Sequence, residues 1–308
     1  MDDPADRAIA PAEIARRAEV ARGMLERCIV CPRRCGAARL SGEAGRCRIA
    51  GAAVVSSAGP HFGEEEPISG DRGSGTIFFA GCNLHCRFCQ NHDISWSVRG
   101  EEVSADELAS IMLALESRGC HNVNLVSPTH VAPQALEALA LARGRGLSIP
   151  IVWNSGGYDD LALLELLDGV VQIYMPDLKY ADAAIAERYS GVPDYPEVAR
   201  AALREMHRQV GPLALDPPGV ATRGLLVRHL VLPGGLAGTA EVMRFLADEL
   251  SEDTFVNVMP QYRPCHLVRG DPVLGRPITR AELGEALLLA RRAGLRRCGG
   301  EPPVFVVG

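Results

Sequence analysis

Residues 76–89 read Thr76-Ile77-Phe78-Phe79-Ala80-Gly81-Cys82-Asn83-Leu84-His85-Cys86-Arg87-Phe88-Cys89. The first five are an apolar run of strand length, rich in β-branched and aromatic residues. Three cysteines with C-x3-C-x2-C spacing follow at once. In a parallel α/β fold, the C-terminal end of a strand is where the active site gathers. Three thiolates this close can ligate three irons of a [4Fe-4S] cube and leave the fourth iron without a protein ligand. A structural zinc site is closed and needs a fourth donor, for which His85 is the nearest candidate.

Working outward, strand-like runs recur at 123–126, 149–153, 170–174, 225–232 and 255–259. Helical patterns separate them, near 132–144, 159–168, 181–210 and 239–250. Two more helices are announced by capping boxes, Ser104 with Glu107 and Thr279 with Glu282. Strands alternating with helices imply a parallel sheet with right-handed crossovers. Six such units fall short of the eight that close a full barrel. The expected fold is therefore α/β, a partial (β/α)6 TIM-like barrel, with a doubly wound sheet as the competitor. The stretch Gly211 to Gly224 reads as a loop before the fifth strand. Ahead of the barrel (71–308) stands an N-terminal module (1–70), with a helix from about Pro11 to Arg27 and then a cysteine-rich turn region.

Composition narrows the function. The 308 residues are 47% hydrophobic with a formal net charge of −6, which excludes wholesale disorder and argues against nucleic-acid binding as the main task. No stretch approaches the roughly 18 apolar residues of a membrane span. The start, Met1-Asp2-Asp3-Pro4, lacks the basic and apolar regions of a signal peptide, so a cytoplasmic location is expected. In a reducing compartment clustered cysteines bind metal or do redox chemistry more often than they form disulfides. Of ten cysteines, Cys28, Cys31, Cys35 and Cys47 form a second group. Their four thiolates suffice for a tetrahedral zinc or rubredoxin-like iron site, or for an auxiliary iron–sulfur cluster. Such a site would clamp the N-terminal module onto the barrel or relay electrons. Cys120, Cys265 and Cys298 carry no ligand spacing and read as ordinary thiols.

With the aromatic Phe88 directly before the third cysteine, the 82–89 segment resembles the radical S-adenosylmethionine (SAM) superfamily. The likeness extends to relatives of the pyruvate formate-lyase activating enzyme, in particular a PflX-like branch of iron–sulfur proteins. It is carried by Cys28-Ile29-Val30-Cys31-Pro32-Arg33-Arg34-Cys35, by His61 through Gly70, by Gly81 through Asn91, by Ser127-Pro128-Thr129-His130 and by Gln261-Tyr262-Arg263-Pro264. The resemblance implies a [4Fe-4S] cluster on Cys82, Cys86 and Cys89 whose open iron binds the amino and carboxylate groups of SAM. An electron, from a donor such as flavodoxin or ferredoxin, then cleaves SAM to methionine and a 5′-deoxyadenosyl radical. That radical takes a hydrogen atom from the substrate. In the activating enzymes the substrate is a glycyl residue of a partner enzyme. Direct modification of a small molecule or peptide is the alternative, and a non-enzymatic metal-binding protein is the third reading.

The resemblance also assigns cofactor contacts. The loop after the second strand carries Gly-Gly-Glu in the family; here it reads Ser127-Pro128-Thr129, so hydroxyls or carbonyls must take the SAM ammonium. Similar segments after the third and fourth strands place Asn154, Ser155, Met175, Asp177 and Lys179 beside the SAM carboxylate and a cation site, with Asn154 where an aspartate is expected. Phe88 is expected against the cofactor as well. Lys179 is the sole lysine among 32 basic residues, which suggests a need for a compact ammonium, although an arginine-biased composition would leave such a residue by chance. Arg228, flanked by apolar residues in the fifth strand, requires a charged partner such as Asp177 or the SAM carboxylate. Alternation turns His229 to the opposite face, where a structural role is expected. Gln261, Tyr262 and Arg263 are expected on the adenine or substrate side. His130 reads equally as a solvent-exposed helix start or a site residue.

Overall fold

The computed structural model describes residues 9–299. Helix α1 (Pro11–Gly23) is followed by β1 (Ala53–His61), α2 (Glu66–Ser69), β2 (Ser74–Phe79), α3 (His92–Ser95) and β3 (Glu101–Val103). Next come α4 (Ala105–Ser117), β4 (Val123–Val126), α5 (Ala132–Gly144), β5 (Ile151–Asn154), α6 (Leu161–Leu167) and β6 (Ile173–Tyr174). The chain continues through α7 (Ala183–Ser190), α8 (Tyr195–Val210), β7 (Ala214–Leu215), β8 (Ala221–Leu230), α9 (Thr239–Phe245), β9 (Phe255–Met259), α10 (Arg280–Arg292) and β10 (Arg297–Gly299).

Strands β2, β4, β5, β6, β8, β9 and β10 lie side by side in that order, all parallel. The order never reverses, so the sheet has no topological switch point, and the doubly wound alternative is excluded. All six expected strands are present, and β10 adds a seventh beyond them. At the other edge β1 runs antiparallel to β2, and β3 antiparallel to β1. The sheet is an open, partial barrel.

Register defines what fills it. Thr76, Asn124, Val152 and Ile173 align across one level, and Phe78, Val126 and Asn154 across the next. The alternate residues Ile77, Leu125, Trp153, Tyr174, Leu225 and Val227 join the core under the helices. Inside the barrel Val152, Ile173, Met175 and Leu226 pack with Ile68, which rises from the β1–β2 connection as an apolar plug.

The capping boxes of α4 and α10 are both formed as expected. The helical stretch 181–210 is two helices, because Gly191 takes a left-handed φ of 63° and ends α7. The fifth strand begins earlier than expected: the segment 211–224 is a short hairpin of β7 on β8, not a loop throughout. Nor is residue 70 a seam in the packing. β1 belongs to the main sheet, and Ile14, Ala18 and Ala21 of α1 are buried in the same core as the barrel, where α1 packs on α5.

Candidate active site

The loop after β2 turns sharply at Gly81 (φ 80°) and again at His85, whose φ of 55° is left-handed. A non-glycine residue held there is strained, and the surroundings must impose it. Trp96 supplies part of that restraint: its ring lies 4.9 Å from His85 and its indole N–H donates to the Cys86 carbonyl at 3.3 Å. Phe88 is buried beneath the loop, edge-on to Tyr180, Tyr189 and Tyr262 at 6.0–6.5 Å.

Each of the three thiols in this loop has its own polar partner. The Leu84 N–H donates to Cys82 Sγ at 3.4 Å, and the Ser190 hydroxyl donates to Cys86 Sγ at 3.1 Å. Ser95 Oγ lies 3.2 Å from Cys89 Sγ. Burial pushes the Cys86 thiol up and Cys89 up to about 12, so binding a metal here releases protons. The thiol of Cys265, expected to be idle, donates to the Phe88 carbonyl at 3.1 Å and braces the loop from below.

These thiols open on a cavity of 270 Å³ at the C-terminal ends of the strands. A larger recess of 740 Å³ lies at the opposite ends, against Ile14, Arg143 and Arg223, and has no cysteine in its lining. The chemistry therefore belongs to the smaller cavity.

Two charge systems face that cavity. In the first, Arg228 Nε donates to Asp177 Oδ1 at 2.9 Å and Nη2 donates to Asn154 Oδ1 at 2.7 Å, while Lys179 Nζ donates to Asp177 Oδ2. Burial raises the Asp177 carboxyl, but Arg228 and Lys179 outweigh it and hold the group below the usual carboxylate value. Glu64 Oε2 lies 3.6 Å from Arg228 Nη1, and burial pushes its carboxyl up. In the second system Asp159, 1% exposed, accepts from Thr129 Oγ1 at 2.7 Å, Ser155 Oγ at 2.6 Å and the Trp153 indole at 3.2 Å. Three donors and no acceptor mark it as a carboxylate, although burial raises its pKa. A hydroxyl that has donated its one proton offers only lone pairs to the cavity. Gly157 lets the third-strand loop reach this position, since a Cβ there would stand 2.2 Å from the Asp177 carbonyl.

Of the residues singled out in the sequence, Cys82, Cys86, Phe88, Cys89, Ser127, Thr129, Asn154, Ser155, Asp177, Lys179, Arg228 and Gln261 all line this cavity. Met175 does not: it is fully buried in the apolar filling. Tyr262 is buried, its hydroxyl donating to the Leu274 carbonyl at 2.6 Å, and Arg263 is on the surface. His130 is 1% exposed, its Nε2 bonded to the Ala80 carbonyl at 2.9 Å, which corrects both readings of it. His229 is structural as expected, between the Leu178 carbonyl and Thr239. Asp159, Glu64, Ser190 and Arg33 went unread. Arg33 donates to the carbonyls of Asn83 (2.7 Å), Leu84 (3.0 Å), Ser190 (3.0 Å) and Gly191 (2.8 Å), joining the cysteine loop to the end of α7.

The sequence model of the radical SAM superfamily matches residues 76–213. The chain is 32% identical over 289 residues to the uncharacterized protein MJ0674 of Methanocaldococcus jannaschii, covering 91% of this chain and 78% of that protein. The chain belongs to the radical SAM superfamily.

Among solved structures, a domain of pyruvate-formate lyase-activating enzyme from Bacteroides vulgatus is 13% identical, with a TM-score of 0.37 over 64% of this chain and 91% of its own. Native anSMEcpe with bound AdoMet is 13% identical, with a TM-score of 0.47 over 72% of this chain and 61% of its own.

Membership in the radical SAM superfamily implies a [4Fe-4S] cluster and SAM, and the site fits both. Three thiols lining one cavity, each with one polar partner, suit a cluster with one iron left open. Among the described residues, no group of three or more His, Cys, Asp or Glu side chains is already drawn together as a metal cage. Among the same residues no helix is long and apolar enough to cross a membrane.

Proposed function

We propose that this radical SAM enzyme acts as an activating enzyme, taking a hydrogen atom from a glycyl residue of a partner protein. The likeness of residues 61–70, 81–91 and 127–130 to relatives of the activating enzymes supports this reading.

Cys82, Cys86 and Cys89 would hold the cluster. Bound there with SAM, it supplies the 5′-deoxyadenosyl radical on one-electron reduction by a flavodoxin- or ferredoxin-type donor. The chain's own residues orient and enclose. Thr129 and Ser155 present lone pairs to the SAM ammonium, with the Asp159 charge behind them. Lys179 and Arg228 offer their remaining donors to the SAM carboxylate while Asp177 holds them in place. Phe88 and the tyrosines around it exclude water from the thiols.

A second reading, direct modification of a small polar molecule or peptide, draws on the barrel interior. Asn124 is fully buried with both amide atoms unpartnered, and Glu65 Oε2 is buried and unpartnered too. Such groups seek a polar ligand.

The test begins with anaerobically reconstituted protein, which is expected to form 5′-deoxyadenosine from SAM on reduction. If Cys86→Ala retains that activity, the cluster assignment is wrong. Deuterium placed on glycine Cα of a partner protein, or on a candidate small molecule, then separates the two readings by its arrival in 5′-deoxyadenosine.

A further inference from the structure

Outside the cavity, the feature least explained by the reaction is Arg39. It is 1% exposed, and no carboxylate pairs with it among the described residues. Its guanidinium donates to the Ala50 carbonyl at 3.0 Å and the His130 carbonyl at 2.8 Å, and Nη1 lies 3.7 Å from Cys28 Sγ. Nη2 is buried and has no partner. A buried guanidinium without an anion is costly, by several kcal/mol in typical proteins, so an anion belongs beside it.

Three of the motif's four cysteines, Cys28, Cys35 and Cys47, lie beside Arg39. Cys35 Sγ and Cys47 Sγ stand 3.3 and 3.4 Å from the point a Cβ on Gly45 would occupy, and the Arg39 stem is 3.5 Å from it. Gly45 thus leaves open a cradle that any larger residue would fill. Cys28, Cys31 and Cys47 are buried, and all four thiols are unpaired with other cysteines. A cradle of about one atom's width suits a single ion with metal–sulfur bonds of about 2.3 Å rather than a cube of four irons. The charge agrees in sign. Residues 27–48 contain six arginines and one acid, Glu43, in a chain whose net charge is −6. Four thiolates around a divalent ion are a dianion.

We infer that Cys28, Cys31, Cys35 and Cys47 bind one tetrahedral metal ion, zinc or ferrous iron, and that Arg39 is its buried counter-charge. The site lies against the radical SAM loop. A Cβ on Gly81 would stand 2.6 Å from the Cys47 carbonyl, and Arg33, inside the same cysteine motif, grips the loop at Asn83 and Leu84. The ion fixes the turns from which those contacts are made. Its work is architectural and does not require SAM cleavage.

The test uses the full chain with Cys82, Cys86 and Cys89 all replaced by serine, so that iron from the radical SAM site is absent. Anaerobic protein is given Zn(II) in one arm and Fe(II) in the other, in competition with a chromogenic chelator. One equivalent of either metal is expected, and which binds more tightly identifies the ion. Cys31→Ser should lose it and Cys120→Ser should keep it. Arg39→Gln should keep the stoichiometry and weaken affinity about 10–100-fold, as loss of a supporting group does at other metal sites, with Arg39→Lys restoring most of it. Circular dichroism at equal concentration separates lost binding from lost folding. No bound metal in either arm, or equal binding by Cys31→Ser, overturns the site. Several irons with acid-labile sulfide overturn the single-ion assignment. Wild-type affinity in Arg39→Gln overturns the counter-charge.

Discussion

Replacing Arg33 by methionine tests whether the N-terminal segment holds the cysteine loop in place. The side chain keeps its unbranched stem and loses four hydrogen bonds, at 2.7, 2.8, 3.0 and 3.0 Å. A hydrogen bond from a charged group contributes about 1.5–3 kcal/mol net. The bond to Gly191 is solvent-exposed and counts for little. Three remaining bonds at the lower figure give about 4.5 kcal/mol, which water returning to the carbonyls reduces to about 3 kcal/mol. That free energy is about a hundredfold in the population of the opened loop. Hydrogen exchange across residues 82–90 should therefore accelerate about a hundredfold, and an iron chelator should strip the reconstituted protein faster by a similar factor. Exchange in α10, which Arg33 does not contact, serves as the internal control. Wild-type exchange across 82–90 in Arg33→Met would refute the reasoning, and so would an equal acceleration in α10, which reports global loosening.

Three other outcomes are expected. Asp159→Asn should weaken SAM binding about tenfold or more, because one buried hydroxyl must reverse its proton; methylthioadenosine, which lacks the ammonium, should bind as before, and calorimetry with both ligands checks this. Lys179→Arg should weaken SAM binding about tenfold despite the conserved charge, because a guanidinium cannot replace a compact ammonium beside Asp177 and Arg228; Lys179→Met should bind no better. Burial lowers His229 to about 4 and His130 to about 3, so the stability they allow is complete above 6.5 and falls as pH drops below it. Urea unfolding should show a loss of about 2 kcal/mol per histidine between pH 7 and pH 5, and His229→Gln should remove its half of that slope.

What the sequence made legible was local. The strand before Cys82, the cysteine spacing and both capping boxes depend on residues within one turn or one strand of each other. Alternation along β8 correctly put Arg228 inside and His229 outside. Met175, placed at the site by the family resemblance, is buried with Val152 and Leu226, whereas Asp177, two residues on, reaches the cavity. β1 was missed because Ser56-Ser57-Ala58-Gly59-Pro60 has no apolar period; it is a strand through its pairing with β2. Asp159 was hidden beside Asp160, which caps α6 and gives the pair an ordinary explanation. Its real partners come from the ends of β4 and β5, and only folding brings them together.

The charges explain why a fold would bury so many ionised groups around one small cavity. Asp177 and Glu64 are set against Arg228 and Lys179, which still have donors to offer a ligand. Asp159, on the other side, has hydroxyl and indole donors but no cation among the described residues. The cavity is thus polarised, with cationic donors toward β6 and β8 and an unpaired carboxylate behind hydroxyls toward β4 and β5. An amino acid moiety docked between them has one orientation, carboxylate toward Arg228 and ammonium toward Thr129 and Ser155. A ligand of the opposite polarity would set like charges against each other in a low dielectric. Orientation is therefore fixed by the strands and not by the ligand's contacts with the cysteine loop. On the SAM reading proposed above, the carboxylate that the family resemblance places after the second strand is supplied one strand along by Asp159, which acts through the two hydroxyls in front of it.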